Sequence, residues 1–222
     1  MTVLLVVTMI VFFLAIDWAV QRREARKGAL APLPTAPQPI AMRYPQGIFF
    51  AKSHTWLNLF PTGVVRLGID DFVSRLMQNP KLQFLKAEGD SVKRGEPLLQ
   101  LTDGTHTLTV RSPLNGNVLR VNGELPEHPE QMREALFSNG WAFSIKPESV
   151  REVQSLFIGE ETQSWIRGEL ARLRDFLAGA GPAVQTAPNF LQDGGISVEG
   201  ALNGLDAQGW KKFESEFLSV DH

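Results

Sequence analysis

The residues best able to do chemistry are the mostly polar segment 101–107, Leu-Thr-Asp-Gly-Thr-His-Thr, and four scattered histidines, of which His106 lies in that segment. His106 could carry a proton or ligate a metal, because imidazole titrates near neutral pH and is a common metal ligand. A lone histidine among threonines is more typical of a solvated strand residue. Asp103-Gly104 is a turn dipeptide, which explains both residues without a function. We therefore predict only that Asp103 and His106 are possible partner contacts.

Motifs of known catalytic sites are absent from this sequence. It contains no Ser-His-Asp, His-x-x-x-His, phosphate-loop or dinucleotide-binding motif. It also has no cysteine, which excludes disulfides, thiolate metal sites and a cysteine nucleophile. We predict a non-enzymatic protein with no catalytic residue, no metal and no cofactor.

The charge balance argues against a nucleic-acid partner. The chain of 222 residues has 22 Lys+Arg against 24 Asp+Glu, a net charge of −2, so no basic excess exists to neutralise phosphates. Hydrophobic residues make up 43% and charged residues 21%, as in a globular protein. This length supports one sizeable domain or two small ones.

Hydrophobicity is concentrated first at the N-terminus. Residues 3–20 are apolar except for Thr8 and Asp17, and as a helix they would extend about 27 Å at roughly 1.5 Å per residue. A signal peptide carries positive charge before its apolar run, and this sequence carries it afterwards. We predict an uncleaved transmembrane helix over residues 1–21, with a signal peptide or a buried helix as the alternatives.

A basic flank and a proline-rich linker follow at residues 22–45. Four cations directly follow the apolar run, so the positive-inside rule predicts that the rest of the chain is cytoplasmic, at the inner (cell) membrane of a bacterium. Five prolines then favour an extended, semi-rigid spacer. The basic residues are Arg22, Arg23, Arg26 and Lys27, and the prolines are Pro32, Pro34, Pro37, Pro39 and Pro45.

Short apolar alternations separated by Gly, Asn or Asp fill residues 48–146. Such alternations predict half-buried strands and a small β-sandwich or barrel. Two short helices interrupt them, at Asp70–Met77 with Asp70 or Asp71 as the N-cap, and at Glu130–Phe137.

Several of these segments resemble the glycine cleavage system H protein. They include Ser-His-Thr-Trp-Leu at 53–57, Gly-Val-Val-Arg-Leu-Gly-Ile-Asp-Asp-Phe at 63–72 and Glu-Gly-Asp-Ser-Val-Lys-Arg-Gly-Glu-Pro at 88–97, and their order holds across residues 46–148. The remaining segments are 112–118, 122–125, 139–141 and 145–147. The resemblance implies a mainly β protein with a flattened lipoyl-type β-barrel (barrel-sandwich hybrid), built from two four-stranded sheets and followed by C-terminal helices. It also implies that His54, in the first segment, packs and hydrogen-bonds around Trp56.

The lysine that carries lipoate in that family is missing here. It follows the Gly of Gly-Glu-Pro by ten residues and precedes the Pro of Ser-Pro by eight, and both counts arrive at Thr105. Thr102 stands where the family has a glutamate that helps the attachment machinery. No lysine lies between Lys93 and Lys146. Lipoyl attachment acylates an amine, so we predict that this chain is not lipoylated.

Amphipathic helices are predicted in the C-terminal third. Apolar residues at i, i+3 and i+4 spacing predict two helices over residues 149–178, with a break at Gly159. Residues 179–222 form a linker and a terminal helix capped by Asp206. Trp210, Phe213 and Phe217 share one face of that helix. They are either buried against their own domain or inserted into a partner's groove.

Three functions remain open. The first is a structural or adaptor subunit of a bacterial inner-membrane protein complex. The second is an adaptor of a membrane export assembly, which usually needs a helical hairpin that residues 81–112 cannot contain. The third is a lipoyl carrier in one-carbon or sulfur metabolism, which the absence of a lysine at position 105 disfavours.

Overall fold

The computed structural model describes residues 42–180 and 199–220. The predicted transmembrane helix, the basic flank, most of the proline-rich linker and residues 181–198 lie outside these ranges. In the part of the chain that is described, no helix combines the length and apolar character needed to cross a membrane.

The described residues form a mainly β fold with helices concentrated toward the C-terminus. The strands are β1 Phe49–Ala51, β2 Thr55–Leu59, β3 Val65–Ile69, β4 Lys81–Phe84, β5 Ser91–Val92, β6 Pro97–Asp103, β7 His106–Arg111, β8 Gly116–Val121 and β9 Trp141–Pro147. The helices are α1 Asp71–Leu76, α2 Gln131–Glu134, α3 Val150–Gln154, α4 Glu160–Gly179 and α5 Ala207–Phe217, with a 3₁₀ turn at Ala201–Gly204.

The strands form two separate antiparallel sheets. One has six strands in the order β1-β2-β3-β9-β8-β5, and the other has three in the order β4-β6-β7. The predictions of a closed barrel and of two four-stranded sheets were therefore wrong. The chain passes from β4 to β5 and from β5 to β6 through turns at Gly89 (φ 90°) and Gly95 (φ 81°). The chain changes sheets at these left-handed turns, a conformation that glycine adopts readily, and no pairing among the described strands joins the two sheets.

The main core lies between the two sheets. Alternate side chains of the strands point into it, as the period of two requires. Burying each side chain of this kind contributes about 1.5–3 kcal/mol. Its fully buried members include Leu57, Leu67, Phe143 and Ile145 from the larger sheet and Leu99, Leu101, Leu108 and Val110 from the smaller one.

A second apolar cluster covers part of the opposite face of the six-stranded sheet. Trp56 lies at its centre with Ile48, Phe50 and Leu136. Trp56 pairs with Gly68 on β3, and a Cβ at position 68 would lie 2.5 Å from the indole ring. Only glycine leaves room for the ring there.

The helices predicted after residue 69 are present, although the one predicted at Glu130–Phe137 is limited to Gln131–Glu134. Asp70 is the N-cap of α1, accepting a 3.0 Å hydrogen bond from the backbone N–H of Val73. The chain breaks before α4 at Gly159, whose φ is 62°. Helix α4 then buries one apolar stripe, formed by Ile166, Leu173 and Leu177.

The terminal helix packs against its own domain. Asp206 is its N-cap and accepts from the N–H of Gly209 at 2.7 Å. Trp210, Phe213 and Phe217 are 3%, 0% and 2% exposed. Of the two alternatives for this aromatic face, the structure shows the first, burial within the same chain.

Candidate functional site: the β6–β7 hairpin and its cover

The hairpin where the resemblance places the lipoyl site is formed by β6 and β7. Asp103 pairs with His106, so Gly104 and Thr105 are its two loop residues. Gly104 has φ 61° and occupies the first loop position, where a type II′ turn favours glycine. Thr105 is exposed at the tip. The turn is therefore maintained by Gly104 and leaves the Thr105 side chain in solvent.

Asp103 connects the hairpin tip to the segment after α1 by hydrogen bonds. Its Oδ2 accepts hydrogen bonds from the backbone N–H groups of Gln78 (2.7 Å) and Asn79 (3.2 Å), just after α1. This carboxylate therefore has an intramolecular structural role, which the turn-forming tendency of Asp-Gly alone did not indicate.

The hairpin offers hydroxyl groups and no amine. The side-chain oxygens of Thr102 and Thr107 lie 3.0 Å apart across the strands. Residues 97–111 contain no lysine. Lys81 on β4 is opposite Thr102 in the sheet register, but it belongs to a neighbouring strand and not to the loop.

Residues 199–220, which we name the cover, lie against β7. The His106 ring stacks on the indole of Trp210 with centroids 5.1 Å apart and planes 18° apart. The Glu214 carboxylate accepts the backbone N–H of Thr109 at 3.1 Å. His106 therefore belongs to the contact between the hairpin and the cover.

Polar contacts also hold the cover to other parts of the domain. Arg75 of α1 forms a 3.2 Å ion pair with Glu199. Arg172 of α4 donates to the carbonyl of Glu216 at 2.8 Å and lies 4.8 Å from the centre of the Phe217 ring. The cover is thus anchored to two helices as well as to the hairpin.

A buried ionic cluster lies beneath these helices. His54 is fully buried, and its Nδ1 lies 2.7 Å from Asp70 Oδ2. Its Nε2 is 3.6 Å from Glu169 Oε2, within range of an ion pair though long for a hydrogen bond. Glu169 is itself paired with Arg172 at 2.6 Å. Because both ring nitrogens face carboxylates, the doubly protonated imidazolium fits this site best.

The cluster shifts two pKa values. Burial alone would lower the pKa of His54, but the charge and hydrogen bond of Asp70 and the nearby Glu169 outweigh it and raise the pKa to about 9. Burial tends to raise the pKa of Glu169, whereas His54 and Arg172 outweigh that effect and lower it. The folded state therefore favours an imidazolium between two carboxylates.

We predict that stability falls as the pH rises from about 6.5 through 9. A raised pKa in the folded state stabilises the protein fully below the unfolded value of about 6.5, and the stabilisation is lost as His54 deprotonates near 9. The loss corresponds to about 3 kcal/mol of unfolding free energy, measurable by urea unfolding across this range. Glu169 acts in the opposite sense, since its contribution is lost when acid protonates it. His54→Asn should flatten the alkaline decline, and an equally steep decline in that variant would contradict the assignment.

The ring contacts of His54 differ from the expected ones, and His128 lies outside the site. The His54 ring stacks on Phe72, with centroids 4.2 Å apart, and lies 5.0 Å from Trp165, so its ring partners differ from the expected Trp56. His128 forms an exposed 3.1 Å pair with Glu130. Across residues 42–180 and 199–220, no group of acidic and histidine side chains is arranged to hold a metal ion.

The glycine cleavage H-protein family model matches residues 48–169, more than half of the chain. The chain belongs to the glycine cleavage H-protein family. The matched region contains every strand described above, the hairpin and Glu169 of the buried cluster. It ends within α4, so the cover of this H-protein-family chain lies beyond it.

Two relatives that are named as H proteins agree with this assignment. The glycine cleavage system H protein of Hydrogenovibrio crunogenus is 29% identical over 122 residues, covering 55% of this chain and 95% of the relative. A probable glycine cleavage system H protein of Pyrococcus abyssi is 30% identical over 107 residues, covering 48% and 79%. The crystal structure of an H protein from Mycobacterium marinum matches with 21% identity and a TM-score of 0.46, over 53% of this chain and 94% of that one.

Proposed function

We propose that this H-protein-family chain is a non-lipoylated, non-enzymatic structural or adaptor subunit of a bacterial inner-membrane protein complex. The observation that carries the proposal is the hairpin: its loop presents Thr105 instead of an amine, and its strands contain no lysine. A threonine hydroxyl cannot form the stable amide that a lysine forms with lipoate.

Contacts around the hairpin support the same proposal. Here Asp103 is bound to the turn after α1, and His106 is stacked beneath Trp210. These contacts hold the hairpin in place as part of a rigid surface, which suits a subunit that positions other proteins.

A lipoyl carrier is the second candidate, since the relatives are named as glycine cleavage system H proteins. Its chemistry would require an amine outside the hairpin loop, of which Lys81 is the nearest in register. Lys81 is the first residue of β4 and lies outside the hairpin loop.

Intact-mass measurement distinguishes carrier from adaptor. We expect the full chain, expressed in cells that lipoylate a lysine-bearing H protein, to show no lipoyl adduct. Thr105→Ala should remain unmodified and equally stable, within about 0.5 kcal/mol, because only an exposed hydroxyl is removed. Thr102→Glu combined with Thr105→Lys should gain the adduct, because it restores the amine at an exposed tip. An adduct on the unaltered chain would refute the proposal.

The adaptor role itself is tested by purification from membranes in mild detergent. We expect the full chain to fractionate with membranes and to retain a stoichiometric protein partner. Removing residues 3–20 should release it to the soluble fraction. A full chain that is already in the soluble fraction, or that purifies alone, would contradict the adaptor role.

A further inference from the structure

Three cations form a row on the outer face of the six-stranded sheet. Arg66 on β3 and Arg120 on β8 each pair with Ser144 on β9, from opposite sides. Lys146 lies two residues further along β9 and therefore on the same face. We name Arg66, Arg120 and Lys146 the cationic row.

Aromatic rings hold the two guanidinium groups in place. The Arg66 Cζ lies 5.3 Å from the centres of both the Phe60 and Trp141 rings, and the Arg120 Cζ lies 5.9 Å from that of Trp141. Contact with a ring restricts the guanidinium, so it loses less entropy when it binds a carboxylate.

The cationic row has no acidic partner within the described residues. None of the ion pairs formed there includes Arg66, Arg120 or Lys146. Lys146 donates instead to the carbonyl of Thr62 at 3.1 Å. Glu88, next to β8, accepts the backbone N–H of Val121. The row thus presents three positive charges that the domain does not neutralise by a contact of its own.

The second apolar cluster covers only the end of this sheet face around Trp56, Phe50 and Leu136. Arg120 and its neighbour Leu119 are exposed, Leu119 at 45%. The row therefore lies on an accessible sheet surface, with one exposed apolar side chain and two partly buried aromatic rings beside it.

We propose that the cationic row binds an acidic segment of a partner protein. The row crosses three strands, about 10 Å between the outer backbones at the usual strand spacing, so its charges suit a ligand with several carboxylates along an extended chain. A polypeptide segment with several carboxylates can pair with them and also pack on Leu119. A membrane surface fits less well, because membrane-binding faces insert several exposed apolar side chains, and Leu119 is the one such side chain described beside the row.

The proposal deepens the adaptor role and rests on it for the natural partner. The binding chemistry is tested separately, by fluorescence anisotropy at low salt with the full chain. The probe is a labelled peptide of glutamate, serine and leucine, and the matched peptide has glutamine in place of glutamate. We expect the chain to bind the glutamate peptide at least about tenfold more tightly than the glutamine peptide.

Variants locate the binding surface. Arg66→Gln with Arg120→Gln should weaken glutamate-peptide binding at least about tenfold, and the exposed Arg120→Gln alone should weaken it about threefold. The control, Arg151→Gln with Arg167→Gln, removes the same charge from helices α3 and α4 and should change affinity less than about twofold. Circular dichroism should show unchanged folding in all three.

Four results would overturn the proposal: equal binding of both peptides, full binding by the double variant, equal weakening by the control, or binding to phosphatidylglycerol-containing vesicles without binding to the peptide. The peptide-binding test and the tests of the adaptor role can fail independently. A lipoyl adduct or a chain that purifies alone ends the adaptor role whatever the peptide does. Equal affinities for the two peptides end only this inference.

Discussion

Phe213→Ala should lower the free energy of unfolding by about 3–5 kcal/mol, the usual cost of removing a buried aromatic ring. The ring is fully buried and stacks on Phe217 with centroids 4.7 Å apart. It also contacts the edge of Phe176 on α4, so the lost packing connects the cover to the body of the domain. Urea unfolding of the full chain, followed by circular dichroism, measures the effect.

Lys211→Ala is the matched control for this prediction. It lies on the same helix but is exposed, so its stability change should stay within about 0.5 kcal/mol. A loss below about 1 kcal/mol for Phe213→Ala would show that α5 does not share the core.

Asp70→Asn should also be strongly destabilising, by about 3–5 kcal/mol near pH 6.5. The change leaves the shape of the side chain and an oxygen that can still cap α1, but it removes the counter-ion 2.7 Å from the buried His54. Removing one partner of a buried ion pair leaves the other charge uncompensated. The same substitution at the exposed Asp175 should change stability by less than about 0.5 kcal/mol.

A double-mutant cycle separates the ion pair from other effects of the Asp70 change. In the His54→Asn background, Asp70→Asn should cost at least about 1 kcal/mol less than in the unaltered chain. Asparagine is suitable at position 54 because it tolerates the left-handed backbone found there, with φ 56°. Equal costs in both backgrounds would show that the two residues do not interact.

Local features of this fold were predictable from sequence. The caps at Asp70 and Asp206 followed from an acidic residue placed just before a helical apolar pattern, and the aromatic stripe of α5 followed from its spacing. The hairpin loop was predictable because Gly104 occurs between two alternating segments. Each of these signals lies within a few residues of the structure it specifies.

Features that depend on distant parts of the chain were not predictable in this way. The division into six and three strands depends on which strands hydrogen-bond, and irregular pairing such as the register shift at Leu67/Gly68 leaves little trace in composition. The His54 cluster joins a strand connection, a helix cap and Glu169 of α4. Glu169 lies three residues after Ile166 and four before Leu173, on the buried stripe of α4, so its spacing placed it on that face but did not identify His54 as its partner.

The hydrogen bond from the Thr109 N–H to Glu214 occupies a backbone donor on β7. Strand β7 is an outer strand of the three-stranded sheet, and an open outer strand is a template on which another chain can add a strand. A carboxylate accepts a hydrogen bond but cannot donate one back, so it satisfies the backbone there without continuing the ladder. With α5 lying alongside, a second chain has no room to pair at this position. The cover thus shields this part of the β7 edge from pairing with another chain.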